Sequence, residues 1–172
     1  GTVHGPAARI TDAVIRRDNA YLPTATGTLM DNNAITSFTL GRFFSDRGGS
    51  VNKSDNKTYR AVVSLEGLIG GSWGWDAYYQ YGRNEFEQRY TGNVVVARLR
   101  NALDAVGSGS NIRCRINADA VTTNDDPGCA PLNIFGAGNV SDAAWNYVAP
   151  SGFQTANTTE HVIAANIHGE RI

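Results

Sequence analysis

The stretch from Lys57 to Arg89, KTYRAVVSLEGLIGGSWGWDAYYQYGRNEFEQR, constrains this chain more than any other. In its first run the odd positions Tyr59, Ala61, Val63 and Leu65 are apolar or aromatic. The even positions Thr58, Arg60, Ser64 and Glu66 are polar, with Val62 the exception. In the second run Trp73, Trp75, Ala77, Tyr79 and Tyr81 alternate with Ser72, Gly74, Asp76, Tyr78, Gln80 and Gly82. Successive side chains of a strand point to opposite faces, so this period of two predicts two strands, over about 57–67 and 72–88. Gly67-Leu68-Ile69-Gly70-Gly71 between them supplies the permissive backbone of a tight reversal.

One face of this hairpin is aliphatic in its middle and carries Trp73, Trp75, Tyr79 and Tyr81. The other carries Arg60, Glu66, Asp76 and Gln80. A half-buried sheet of a soluble protein alternates in the same way. Long strands, a tight turn and a tryptophan pair beside that turn equally suit a hairpin of a membrane barrel. There strands alternate apolar-out and polar-in, and aromatic side chains gather at the boundaries. The pattern leaves both readings open.

The composition of the whole 172-residue chain narrows the options by exclusion. By length it is one domain. Charged residues are only 18% and glycines number 19, a balance that suits sheets and long polar loops more than helices. No run approaches the roughly 18 consecutive apolar residues of a transmembrane helix. A formal net charge of −1 argues against nucleic acid as a partner. The single methionine, Met30, is internal, and no signal peptide opens the chain, which reads as an excised piece or a processed product.

Taken in order, Ala7 to Ile15 shows no clean stripe and supports at most a short helix. Thr28 to Asn33 fits one helical turn. The β-branched and aromatic residues of 35–44 predict a strand with Phe38 and Leu40 on one face. Ser45 to Asn56 is polar and glycine-rich, hence a loop. Beyond the hairpin, Val95, Leu99, Ala102, Leu103 and Val106 fall at helical spacing and predict an amphipathic helix over 94–106. Ser141 is a good N-cap for a short helix that ends before Pro150. Alternation resumes over 158–170, with His161, Ile163, Ala165 and Ile167 on one face. The fold class is therefore mainly β, an antiparallel meander built on the hairpin, with a long loop region at about 90–157 carrying short helices.

Few residues carry chemistry. Cys114 and Cys129 are the only cysteines. Two thiols make no structural zinc site unaided, and His4, His161 and His168 are not at ligand spacing. A disulfide closing the loop is the better reading, with two free buried thiols as the alternative. Such a bridge contributes on the order of 3 kcal/mol and implies an oxidising compartment. Asp119, Asn124, Asp125 and Asp126 form an acidic cluster without any calcium-loop pattern, so a solvated loop is preferred to a metal site. Gly136-Ala137-Gly138 lacks the third glycine and the context of a nucleotide fingerprint, and no nucleophile–base constellation is evident. The sequence calls for no enzyme and no cofactor.

Several segments together resemble TonB-dependent outer-membrane receptors. Thr58-Tyr59-Arg60 followed by the glycines, and Trp73-Gly74-Trp75-Asp76-Ala77-Tyr78-Tyr79-Gln80-Tyr81-Gly82, are similar to a barrel strand pair of that family. Cys129-Ala130-Pro131-Leu132-Asn133-Ile134-Phe135-Gly136 and Arg17-Asp18-Asn19-Ala20-Tyr21-Leu22-Pro23 resemble loop segments of it. The resemblance runs from about residue 15 to 170. It implies an outer-membrane location, contact with lipid, and import of a scarce nutrient such as a siderophore, haem, an oligosaccharide or another small molecule. Extracellular loops would bind that ligand, and energy would come from the TonB complex acting on the whole receptor. The chain carries no TonB box, no plug and too few strands to close a large barrel. On this reading Arg89, Tyr90, Arg113, Arg115 and Trp145 are exposed loop groups that could contact ligand, with loop packing as the competing role. Arg60, Glu66, Asp76 and Gln80 would face the lumen. Cut strands leave open edges that pair between copies, while the loop region forms the core. The competing function is a secreted or surface antiparallel-β module that binds carbohydrate or mediates adhesion.

Overall fold

A computed structural model of the chain describes residues 1–169. Strands dominate it. β1 (Thr2–Ala7) and β2 (Arg9–Arg16) come first, followed by α1 (Thr24–Asn32) and β3 (Ser37–Phe43). The long hairpin is β4 (Gly49–Ile69) and β5 (Trp73–Thr91). Then come α2 (Val96–Leu103), the two-residue strands β6 (Ala105–Val106) and β7 (Arg113–Cys114), α3 (Asp142–Val148) and β8 (Gly152–Gly169). The main sheet is open, with strand order β1-β4-β5-β8; β2 pairs only with β3, and β6 only with β7. Residue 170, the last of the expected third long strand, lies outside the described residues.

By contacts the chain divides into two compact units. One comprises Gly1, Lys53–Arg89 and residues 153–169; the other comprises Thr2–Asn52 and Tyr90–Gly152.

The first unit is almost pure strand. The hairpin turns through Gly70 and Gly71, whose φ values of 61° and 80° fit the left-handed region that glycine enters without penalty. Cross-strand neighbours fix the antiparallel register. Arg60 lies beside Gln80, Asn84 beside Asn56 and Thr58, and Tyr79 beside His161. Odd residues of all three long strands therefore share one face, and even residues share the other. The chain runs on as strand past both ends of the apolar alternation. Residues 49–56, expected as loop, are β4, and residues 152–157 are the start of β8. Apart from Val51 and Phe153, these stretches are polar or small and show no hydrophobic alternation; the pairing is held by backbone ladders and by bonds such as Asn84 Nδ2 to Asn56 Oδ1 at 2.8 Å.

The second unit holds the core. Ile15, Phe44, Leu132 and Val148 are fully buried, and Leu99, Ala102, Leu103 and Trp145 join them. The expectation that the loop region supplies the core holds in part: Leu99 to Ala149 give most of it, but Ile10, Ala13, Ile15 and Phe44 come from before the hairpin. At its start the sequence reading needs correction: Arg9–Arg16 is a strand, not a short helix. Ile10 pairs with Arg42 but Ala13 pairs with Leu40, so β2 carries one extra residue there. This bulge brings Ile10, Ala13 and Ile15 to the buried side and breaks the period of two in the sequence. α1 is longer than one turn, and α2 is shorter than predicted. Val106, assigned to the helix by its spacing, instead pairs with Arg113 in the small β6–β7 ladder.

The expected disulfide is present: Cys114 and Cys129 are joined. α3 starts as read, with the Ser141 hydroxyl accepting from the Ala144 amide at 3.2 Å.

Candidate functional site

In the first unit, the register sorts side chains into two unlike surfaces. On the odd face Val63, Leu65, Ile69, Trp73, Ile163 and Ile167 are all more than half exposed. Tyr59, Tyr81 and His161 border this patch on the side away from the turn. Beyond them the same face becomes Lys57, Asp55, Arg83, Glu85, Glu87 and Arg89. Arg83 pairs with Glu85 and Arg89 with Glu87, at 2.7 and 2.8 Å. The apolar stretch from Tyr59 to Ile69 runs ~33 Å along the strand at the usual rise. An exposed patch of this continuity needs a partner of its own.

The even face carries most of the polar pairs, although Val62 and Leu68 are exposed on it as well. Arg60 donates twice to Gln80 Oε1, at 3.0 and 2.5 Å. Asn166 Nδ2 donates to Asp76 Oδ2 at 2.9 Å. Glu66 lies on the same face. The four residues read as lumen-facing thus share one surface, and two of them bond directly.

The five ligand candidates fare differently. Arg89 is exposed and held by Glu87. Tyr90 lies over the backbone of Gly152, where a Cβ would stand 2.1 Å from its ring. Arg113 is exposed on β7, beside the turn from Gly107 to Ile112. Arg115 is half-buried, and its donors are committed to Asp104 at 3.0 Å and Asp18 at 2.7 Å. That bond from Arg115 holds the Asp18 carboxyl below the ordinary range, and the guanidinium is raised in turn. Trp145, expected as an exposed loop group, is buried. α3 turns Ala144, Trp145, Tyr147 and Val148 inward, and the Trp145 ring packs on Phe44 at 5.3 Å with the Arg47 guanidinium over it. The five do not converge on one site.

Two carboxylates of the acidic cluster are committed to protein donors. Asp119 accepts from the Val121 amide, and Asp126 accepts from Gly128 N–H and the Tyr147 hydroxyl. Burial, then Asp126, raises the Tyr147 phenol. Among the described residues no group of three or more His, Cys, Asp or Glu is placed to hold a metal.

Two features escaped the sequence reading. The first is a clamp on the glycine-rich loop: Asp46 accepts from the Gly138 amide at 2.8 Å and from Arg42 at 2.6 Å. Arg42 also donates to the carbonyls of Ile134 and Gly136. The Gly138 amide, then the guanidinium, hold Asp46 low. The second is a groove of about 460 Å³ between β2 and α2, floored by Ile10, Leu99 and Leu103. Its volume falls in the range of small-ligand sites. The spacing of Leu99 and Leu103 was visible in the sequence, but the strand beside them was hidden by the bulge.

No family model, curated protein or solved structure matches the chain.

Proposed function

We propose that this chain is a segment of an outer-membrane β-barrel receptor, in which the three long strands belong to the bilayer and the second unit supplies the extracellular ligand-binding loops. The observation that carries the reading is the odd-face apolar band of β4, β5 and β8. With the ~40° tilt of membrane barrel strands, its ~33 Å strand length becomes a height of about 25 Å, the size of the lipid-facing band in such barrels. Trp73 and Trp75 lie at one margin and Tyr59, Tyr81 and His161 at the other, as the aromatic girdles of a barrel do. Charged side chains begin directly beyond. The polar pairs of the even face, Arg60–Gln80 and Asp76–Asn166, suit a hydrated lumen.

The residue resemblance described above supplies the receptor part of the proposal: uptake of a small-molecule nutrient, driven through TonB on the whole protein. The open edges of the sheet are where further barrel strands would pair. A second reading, a surface binding module, draws on the disulfide-closed core of the second unit, which needs no lipid.

Light scattering of the chain with and without detergent, together with flotation on liposomes, tests the membrane reading. The expected result is aggregation through strand edges and the apolar band in buffer, a discrete particle in detergent, and flotation with lipid. A highly soluble monomer that ignores liposomes would overturn it in favour of the surface module.

A further inference from the structure

The groove between β2 and α2 has three properties that together specify an occupant. First, it runs along a strand edge. Its β2 wall includes Ile10 and Ala13, which point inward, and also Asp12, Val14 and Arg16, which point outward. Side chains of both orientations line one groove only where it follows the edge of a strand. β2 pairs with β3 alone, so the backbone groups on this edge have no strand partner among the described residues. An unpaired edge of this kind accepts an extended peptide by main-chain hydrogen bonds.

Second, the opposite wall is a helical stripe. Val96, Leu99, Arg100 and Leu103 fall on one face of α2. Leu99 and Leu103 are buried, while Val14 and Val96 are each 58% exposed at the groove's lips. A strand edge facing an apolar helix stripe can hold an extended segment whose alternate side chains enter between them.

Third, the rim carries one free charge of each sign. The Asp12 and Arg100 side chains have no hydrogen bond or ion pair among the described residues. Arg16 and Asp104, by contrast, pair with each other at 3.6 Å and mark one end of the groove. An occupant with an ammonium for Asp12 and a carboxylate for Arg100 would satisfy both.

We propose that this groove binds a short peptide with free termini and apolar side chains, laid along the edge of β2. At ~3.3 Å per residue, the stretch from Asp12 to Arg16 matches about three to four residues. The proposal rests on the receptor reading above and deepens it by naming the ligand class.

The test uses the full chain in detergent and tri-leucine with free termini as probe, followed by calorimetry. Binding is expected, and it should weaken roughly tenfold in Asp12→Asn and in Arg100→Gln, each removing one charge-assisted bond, and roughly a hundredfold when the peptide is both acetylated and amidated, which removes both. A backbone N-methylated tri-leucine should also weaken, because it loses the donors that pair with the strand edge. No detectable binding, or capped and N-methylated peptides that bind as well as free tri-leucine, would overturn the proposal. So would dimerisation that the Asp12→Asn and Arg100→Gln variants abolish, since the groove would then hold a second copy. Failure here with intact liposome flotation leaves the membrane reading standing. Binding here without flotation keeps the groove and sinks the barrel.

Discussion

The Tyr79 hydroxyl lies 2.7 Å from Nδ1 of His161, joining β5 to β8 where the apolar face meets its charged border. The two rings stack at 6.1 Å, and Tyr81 meets the same imidazole edge-on at 5.4 Å. This cluster is exposed, so its hydrogen bond competes with water. Tyr79→Phe should therefore cost no more than about 1 kcal/mol in denaturant unfolding. It should leave lipid partitioning unchanged, because the aromatic body stays. A loss of liposome flotation in this variant would show that the hydroxyl, not the ring, sets the border.

The two strand faces should respond oppositely to charge. Leu65→Asp and Ile163→Asp place a carboxylate in the apolar band, where each costs up to a few kcal/mol if lipid covers it, depending on depth. Ser64→Asp puts the same charge on the polar even face. Flotation should fall sharply for the first two and persist for the third. Equal behaviour of all three would mean that no lipid covers the band.

The disulfide should matter chiefly through the unfolded chain. Its loop closes across a sequence separation of 15, for which the entropy model gives about 3 kcal/mol. Replacing both cysteines with serine should lower the urea midpoint accordingly. Cys114 is fully buried and Cys129 partly buried, so a reductant should reach the bridge only through Cys129 in the native protein and react faster once urea opens the core. Rapid reduction without denaturant would place the bridge outside the cooperative unit.

The hairpin was legible because its turn glycines and its period of two agree, and each strand obeys one rule along its apolar half. The polar halves were not legible. Nothing in Ser50 to Asn56 distinguishes a loop from a strand until Asn84 and Gln88 stand opposite. β2 was hidden for a different reason: its bulge shifts parity between Ile10 and Ala13, so no single period fits. Trp145 was misplaced because aromatic residues in a loop region look like ligand contacts, whereas here α3 turns that residue into the core. Arg115 was singled out by charge alone; its two aspartate partners are distant in sequence. The groove stayed hidden with β2, since one of its walls is the bulged strand.

Acid should loosen the second unit through Asp46. Its carboxyl is held low by the Gly138 amide and Arg42, so the folded state favours the ionised form. The stabilisation is present above the unfolded carboxyl pKa of about 4 and is lost as pH falls through the lower folded value. Asp18, held low by Arg115, acts in the same direction. Urea midpoints of the wild type should fall below about pH 4, and Asp46→Asn should flatten that decline. The variant should also lose roughly 1–2 kcal/mol at pH 7, because Arg42 keeps its two carbonyl partners but loses its counter-ion. An unchanged acid profile in the variant would remove Asp46 from the account.

A last prediction concerns how the hairpin keeps its register. Gly67 leaves room on β4 for the Trp75 indole of β5; a Cβ there would stand 2.7 Å from Nε1. Glycine in a strand interior weakens it unless something covers the gap, and here the ring does. Gly67→Ala should push the indole off the strand, costing roughly 1 kcal/mol through overpacking. It should also shift the tryptophan emission, with Trp75→Phe as the reference for the other two indoles. Since Trp75 lies at the margin of the apolar band, the same change should weaken flotation more than the ladder-neutral Ser64→Asp. If emission, stability and flotation all stay at wild-type values, the strands accommodate the methyl by sliding apart, and the ring over glycine does not set the register.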